Sequence, residues 1–192
     1  MAIRRILCMP VGPGGVKPQT VQMIAALVKM GAIDTIGLAE SHVVPARNLV
    51  WGHAVSRQYD RVLWCDSDIF ADPSHLASFM TRADLAMDQK VSLAWRGAVC
   101  IRRGGGLAYH ERMTGGYLLG LGLGYWHVER MRQAFIANER DPNMPFRWIP
   151  PHSEDYDASR ALDGTMFTND LDETLATSHD MIGDWPGKDP GE

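Results

Sequence analysis

Three cysteines, Cys8, Cys65 and Cys100, are all the chain has, and no two of them form a CxxC pair. That excludes a zinc ribbon and a disulfide scaffold on spacing, and reads as free thiols in a reducing compartment. No run of 18 apolar residues occurs, so no transmembrane helix is expected. The apolar stretch after Arg4 and Arg5 is too short for a signal peptide, and a cytoplasmic location is the expectation. Excess positive charge is missing too. Nineteen basic residues stand against 23 acidic ones, a formal charge of -4, which gives no broad electrostatic support to nucleic-acid binding. Neither GxGxxG with its strand–helix context nor a Walker A loop is present, since Gly12-Pro13-Gly14-Gly15 fits neither.

What remains is ordinary globular material of 192 residues with 45% hydrophobic content, enough to bury one core. Apolar runs at Ile3 to Pro10, Ile33 to Leu38, Arg61 to Cys65 and Val91 to Trp95 read as strands. Pro18 to Met30, Pro45 to Gln58 and Pro73 to Ala83 read as helices between them. The alternation predicts an α/β/α sandwich on a mostly parallel sheet, with ligands at the carboxyl ends of its strands. Further on, Tyr117 to Tyr125 reads as a Gly-rich strand and Val128 to Asn138 as a helix. A short helix is expected after Ser153 and an extended segment around Met166 to Leu171. One domain over residues 1–182 is expected, with 183–192 as a flexible tail.

The strongest local chemistry is Asp66-Ser67-Asp68, directly after the third apolar run. Two carboxylates one residue apart at a strand end offer hard oxygen ligands for Mg²⁺ or Mn²⁺, ions that also hold substrate phosphates. The alternative is a solvated turn in which Asp66 or Ser67 caps the next segment. Arg47 can pair with such a carboxylate or with a phosphate, or stand as an exposed helix arginine. Glu154 and Asp155 open the short helix. They can serve as capping acids, or Asp155 can act as a general base with Glu154 orienting an acceptor. His179 can complete a metal site or be a surface histidine. Arg96, Arg102, Arg103, His110 and Arg112 form a basic stretch able to hold a phosphate or to lie solvated. Trp95, Tyr125 and Trp126 read as core before they read as stacking platforms.

The order of these clusters carries a resemblance. Arg47-Asn48, then YDRVLWCDSDIFADP from Tyr59 to Pro73, GGYLLGLGLGYWHVERMRQAF from Gly115 to Phe135, SEDYDASRA from Ser153 to Ala161 and finally His179 resemble GT-A-fold glycosyltransferases. The likeness is to small family-2-like enzymes of bacterial or phage type and spans Ile3 to His179. It implies a GT-A-like, Rossmann-type sandwich that transfers a sugar from a nucleoside-diphosphate-sugar to an acceptor hydroxyl. It further implies Pro10, Val11 and Gly12 near the nucleotide, Arg47 beneath the diphosphate, and Asp66 and Ser67 at the ribose-phosphate. Asp68, Asp66 and His179 would surround Mn²⁺ or Mg²⁺, with Asp155 as base if the enzyme inverts. The basic stretch up to Gly116 would close as a lid. Acceptors left open are a glycan, a lipid-linked sugar, a small molecule or, as a minor option, modified DNA. Two other classes stay in view: a nucleotidyltransferase acting on sugar phosphates, and a noncatalytic nucleotide-sugar-binding module.

Overall fold

The computed structural model describes residues 2–99, 122–148, 154–179 and 183–185, with the side chains of 154–156, 179 and 183–185 excepted. The chain opens with β1 (Arg5–Val11), α1 (Pro18–Lys29), β2 (Thr35–Glu40), α2 (Val43–Ser56) and β3 (Arg61–Cys65). A two-residue strand β4 (Ile69–Phe70), α3 (Pro73–Gln89) and β5 (Leu93–Ala98) follow. Then come β6 (Leu123–His127), α4 (Val128–Ala137), α5 (Glu154–Arg160), β7 (Thr168–Asp172), β8 (Thr177–His179) and β9 (Gly183–Trp185).

Six strands make the central sheet in the order β2-β1-β3-β6-β5-β7, and a small second sheet runs β4-β8-β9. β1 pairs in parallel with β2 and β3, and β5 with β7, whereas β6 is antiparallel to both β3 and β5. Five strands therefore point one way and β6 the other. The result is the expected mostly parallel α/β/α sandwich of Rossmann type, consistent with a GT-A-like fold.

Each face of the sheet buries its own cluster. On one side Trp51 of α2, Trp64, Trp95 and Trp126 of the sheet and Phe135 of α4 pack together, all wholly buried. Edge-on contacts at 5.6–5.8 Å join Trp51 and Trp64 to Trp126. On the other side Leu7, Met9, Leu63 and Tyr125 meet α1 and α3 through Met23, Leu27, Phe79 and Met80. Trp95, Tyr125 and Trp126 are core residues, as their apolar settings suggested.

Several boundaries differ from the sequence reading. α3 runs on to Gln89 rather than stopping at Ala83, because Met87 continues the buried stripe of Ala83 while Asp84 and Asp88 disguise it. β5 runs on to Ala98, because the main chain of Arg96, Gly97 and Ala98 pairs with Asp170, Leu171 and Asp172 of β7, where the Arg96 guanidinium also meets the Asp170 carboxylate at 3.2 Å. Gly183–Trp185, assigned to the tail by sequence, pair with β8 as strand β9, and residues 186–192 lie outside the described residues.

Candidate functional site

At the carboxyl ends of β1, β2 and β3 lies a cleft of about 430 Å³ lined by Pro10, Gly12, Pro13, Ser41, His42, Val43, Arg47, Asp66, Ser67 and Asp68. The Asp66–Asp68 turn is tied down through its backbone on three sides. Ile69 N–H donates to the Asp66 carbonyl at 3.2 Å, Lys17 N–H to the Ser67 carbonyl at 2.9 Å, and Thr20 Oγ1 to the Ile69 carbonyl at 3.1 Å. Asp66 N–H in turn reaches the Gly122 carbonyl at 2.8 Å, so the turn is stitched to β6 as well. With its main chain so occupied, the loop is a rigid mount for its side chains.

Capping does not explain these acids. The N-cap of α3 is Asp72, whose carboxylate accepts from Ser74 N–H at 2.9 Å and His75 N–H at 3.1 Å. These bonds, that from the Ser74 hydroxyl first, hold Asp72 below the usual carboxylate range. Asp66 and Asp68 line the cleft.

Arg47 is 3% exposed, an unusual place for a guanidinium. It lies over the Trp64 ring at 5.5 Å and donates to Asp66 Oδ1 at 3.0 Å. Asp66 keeps a third of its side chain exposed, so this pair has one buried partner and one facing the cleft. Gly122 stands across from it. A Cβ there would come within 2.9 Å of Ile69 Cδ1 and 3.7 Å of Asp66 Oδ2, and its absence leaves room beside the carboxylate. The neighbouring Asn48 points elsewhere. Its side-chain amide grips Phe146 from both sides, donating to the carbonyl at 3.0 Å and accepting from N–H at 2.9 Å.

Of the residues singled out from sequence, Pro10, Gly12, Arg47, Asp66, Ser67 and Asp68 come together in this cleft. Val11 does not. Strand alternation turns its side chain away from that of Pro10, and it packs against the α1/α3 core. His179 belongs to β8, and its backbone pairs with Ile69, one residue beyond Asp68; its side chain is outside the description. Glu154 and Asp155 occupy the first turn of α5, also without described side chains. Two residues on, Asp157 is structural, forming a bidentate pair with Arg140 at 2.7 and 3.1 Å. Arg102, Arg103, His110, Arg112 and the lid up to Gly116 lie outside the described residues. Sequence reading missed Ser41, His42 and Val43. The end of the second apolar run was the available signal, because it shares the carboxyl edge of the sheet.

Among the described residues no group of three or more His, Cys, Asp or Glu side chains is placed to hold a metal ion. The donor set still suits a hard divalent cation, which commonly takes one or two carboxylates and completes its shell from substrate phosphate and water. Among the described residues no helix is long and apolar enough to cross a membrane.

No protein-family model matches the chain, and no curated protein does. Solved structures do. A197 from STIV superposes with a TM-score of 0.59 at 15% identity, over 92% of this chain and 85% of that one. At that identity the likeness is one of fold. A glycosyltransferase involved in the glycosylation of the major capsid of PBCV-1 aligns with a TM-score of 0.48, also at 15% identity, over 88% of this chain and 83% of that one.

Proposed function

We propose that this protein is a glycosyltransferase that takes a nucleoside-diphosphate-sugar into the cleft at the ends of β1–β3 and passes the sugar to an acceptor hydroxyl. The observation that carries this reading is the convergence of Arg47, Asp66 and Asp68 with the amino end of α2 in one cleft. No side chain caps that helix end at His42, and a helix amino terminus beside a guanidinium favours an anionic ligand such as a diphosphate.

Asp68, with Asp66 and His179 beside it, would hold Mn²⁺ or Mg²⁺. That ion supplies charge neutralisation on the diphosphate. The chain's own groups do the rest. Asp66, held by Arg47, presents an acceptor to the ribose, while Arg47 adds positive charge below the leaving group. Asp155 takes the proton of the acceptor hydroxyl as its oxygen bonds to the anomeric carbon and the nucleoside diphosphate leaves from the opposite face, a single displacement that inverts that centre.

Thermal-shift titration with nucleoside diphosphates and their sugar conjugates, with and without Mn²⁺, tests the donor half. A rise in Tm selective for one donor and dependent on the cation is expected, and Asp68→Ala should lose it. Asp155→Ala should keep the shift and lose transfer by roughly 10²–10⁴-fold. Indifference of the wild type to every donor, or an Asp68→Ala protein that binds as the wild type does, overturns the proposal.

A further inference from the structure

The central sheet has two edges, and they are built differently. β7 carries Asn169, Asp170 and Asp172 along its five residues, with Asp172 bound to Arg82 at 3.1 Å. Charges of this kind protect an edge against strand addition. β2, TIGLAE, has no proline and no lysine, and its single charge is at the last position. It exposes Ile36 and Leu38, the latter at 55%.

These two side chains extend an apolar flank. Ile36 and Leu38 pair in register with Leu7 and Met9, which face α1, so all four are on the α1 side of the sheet. On α1, Met23 receives Ala71 N–H and so marks the side turned toward α3. Val21 and Val28, about half exposed, lie on the opposite side of that helix, the flank turned away from α3.

Main-chain geometry gives the outer hydrogen-bond pattern. The Arg4 carbonyl accepts from Arg61 N–H of β3, whereas Arg5 N–H points to Asp34 at the start of β2. Odd residues of β1 thus bond toward β2, an alternation that spares Pro10 its missing N–H. Thr35, Gly37 and Ala39 answer them, and the N–H and C=O groups of Ile36, Leu38 and Glu40 point away from β1, to the side on which no strand pairs among the described residues.

We propose that β2 pairs antiparallel with β2 of a second copy of this chain, about a two-fold axis at Leu38. That register uses all three outward residues, placing Leu38 against Leu38 and Ile36 against Glu40. No like charges are directly opposed, and Asp34 comes level with His42 of the second copy. Because the axis is perpendicular to the sheet, both α1 helices fall on one face, and their Val21 and Val28 flanks close over the paired leucines. The self-matching register and apolar flank favour a second copy over an unrelated strand.

The test uses the full chain. Light scattering at tens of micromolar should give twice the 21.3 kDa chain mass, and Leu38→Lys should return it to the monomer with its circular dichroism unchanged. In a Cys100→Ser background, Leu38→Cys should form a disulfide-linked dimer on mild oxidation, since facing hydrogen-bonded residues lie about 5.5 Å apart. Leu85→Cys, on the exposed side of α3, should not. A monomeric wild type, a dimer indifferent to Leu38→Lys, or equal cross-linking through Leu85→Cys overturns the proposal. The cysteine pair decides the matter should the lysine variant fail to fold.

Discussion

The two ends of the sheet each hold an arginine–aspartate pair, and the pairs differ in how completely they are enclosed. At the amino ends of the parallel strands, Arg61 donates to Asp84 Oδ1 at 2.8 Å, and Arg5 and Tyr125 reach Oδ2 at 2.9 and 3.2 Å. Arg61 and Asp84 are both nearly buried, and burial with the Asp84 charge pushes the Tyr125 phenol well above its ordinary pKa. Arg130 closes the same end by donating to the carbonyls of Met87 and Leu93. At the carboxyl ends, Arg47 is as deeply buried, but its partner Asp66 faces the cleft. A carboxylate filled on both oxygens by the protein's own donors ties α3 to β1, β3 and β6. Asp66, a third exposed, turns toward the cleft in which the proposed donor would sit.

Removing each acid separates the two roles. Asp84→Ala would leave the buried Arg61 guanidinium, and the partly exposed Arg5 beside it, without their anion, a loss of about 3–5 kcal/mol. In a chain of this size that lowers Tm by on the order of 10 °C, read by calorimetry. Asp66→Ala leaves a partly exposed site that water can enter, so Tm should move by only a few degrees while any donor-dependent shift is lost. Equal destabilisation by both substitutions would erase the distinction between the ends.

Local signals were legible in the sequence, and long-range ones were not. Arg61–Cys65 is the strand its apolar run indicates, and the acids that stop it sit where a parallel sheet presents ligands. The reversal of β6 leaves no trace in its composition, because an apolar Gly-rich run carries no direction. Asn48 gripping Phe146, and Asp84 joining residues from three strands, are contacts across 98 residues and across 23 to 79. On α3, Asp84 looks like any surface acid until the helix is docked. Val11 is a simpler case: period-two alternation already separates its side chain from that of Pro10.

A smaller effect sharpens the contrast at the closed end. Burial, with Arg61 and Arg130 nearby, pushes the His127 imidazole down to about 4, against the opposing influence of Asp60 and Glu129. Its Nδ1 is buried without a hydrogen-bond partner. The unfolded chain titrates this group near 6.5, so between about pH 6.5 and 4 it binds a proton that the folded state refuses. Stability attributable to neutral His127 is complete above that range and falls as the pH drops through it. Tm measured from pH 7 to 4 should decline more steeply for the wild type than for His127→Gln, whose amide carries no charge in either state. Parallel curves would mean that the imidazole accepts its proton in place, and that this end of the sheet is wetter than its packing indicates.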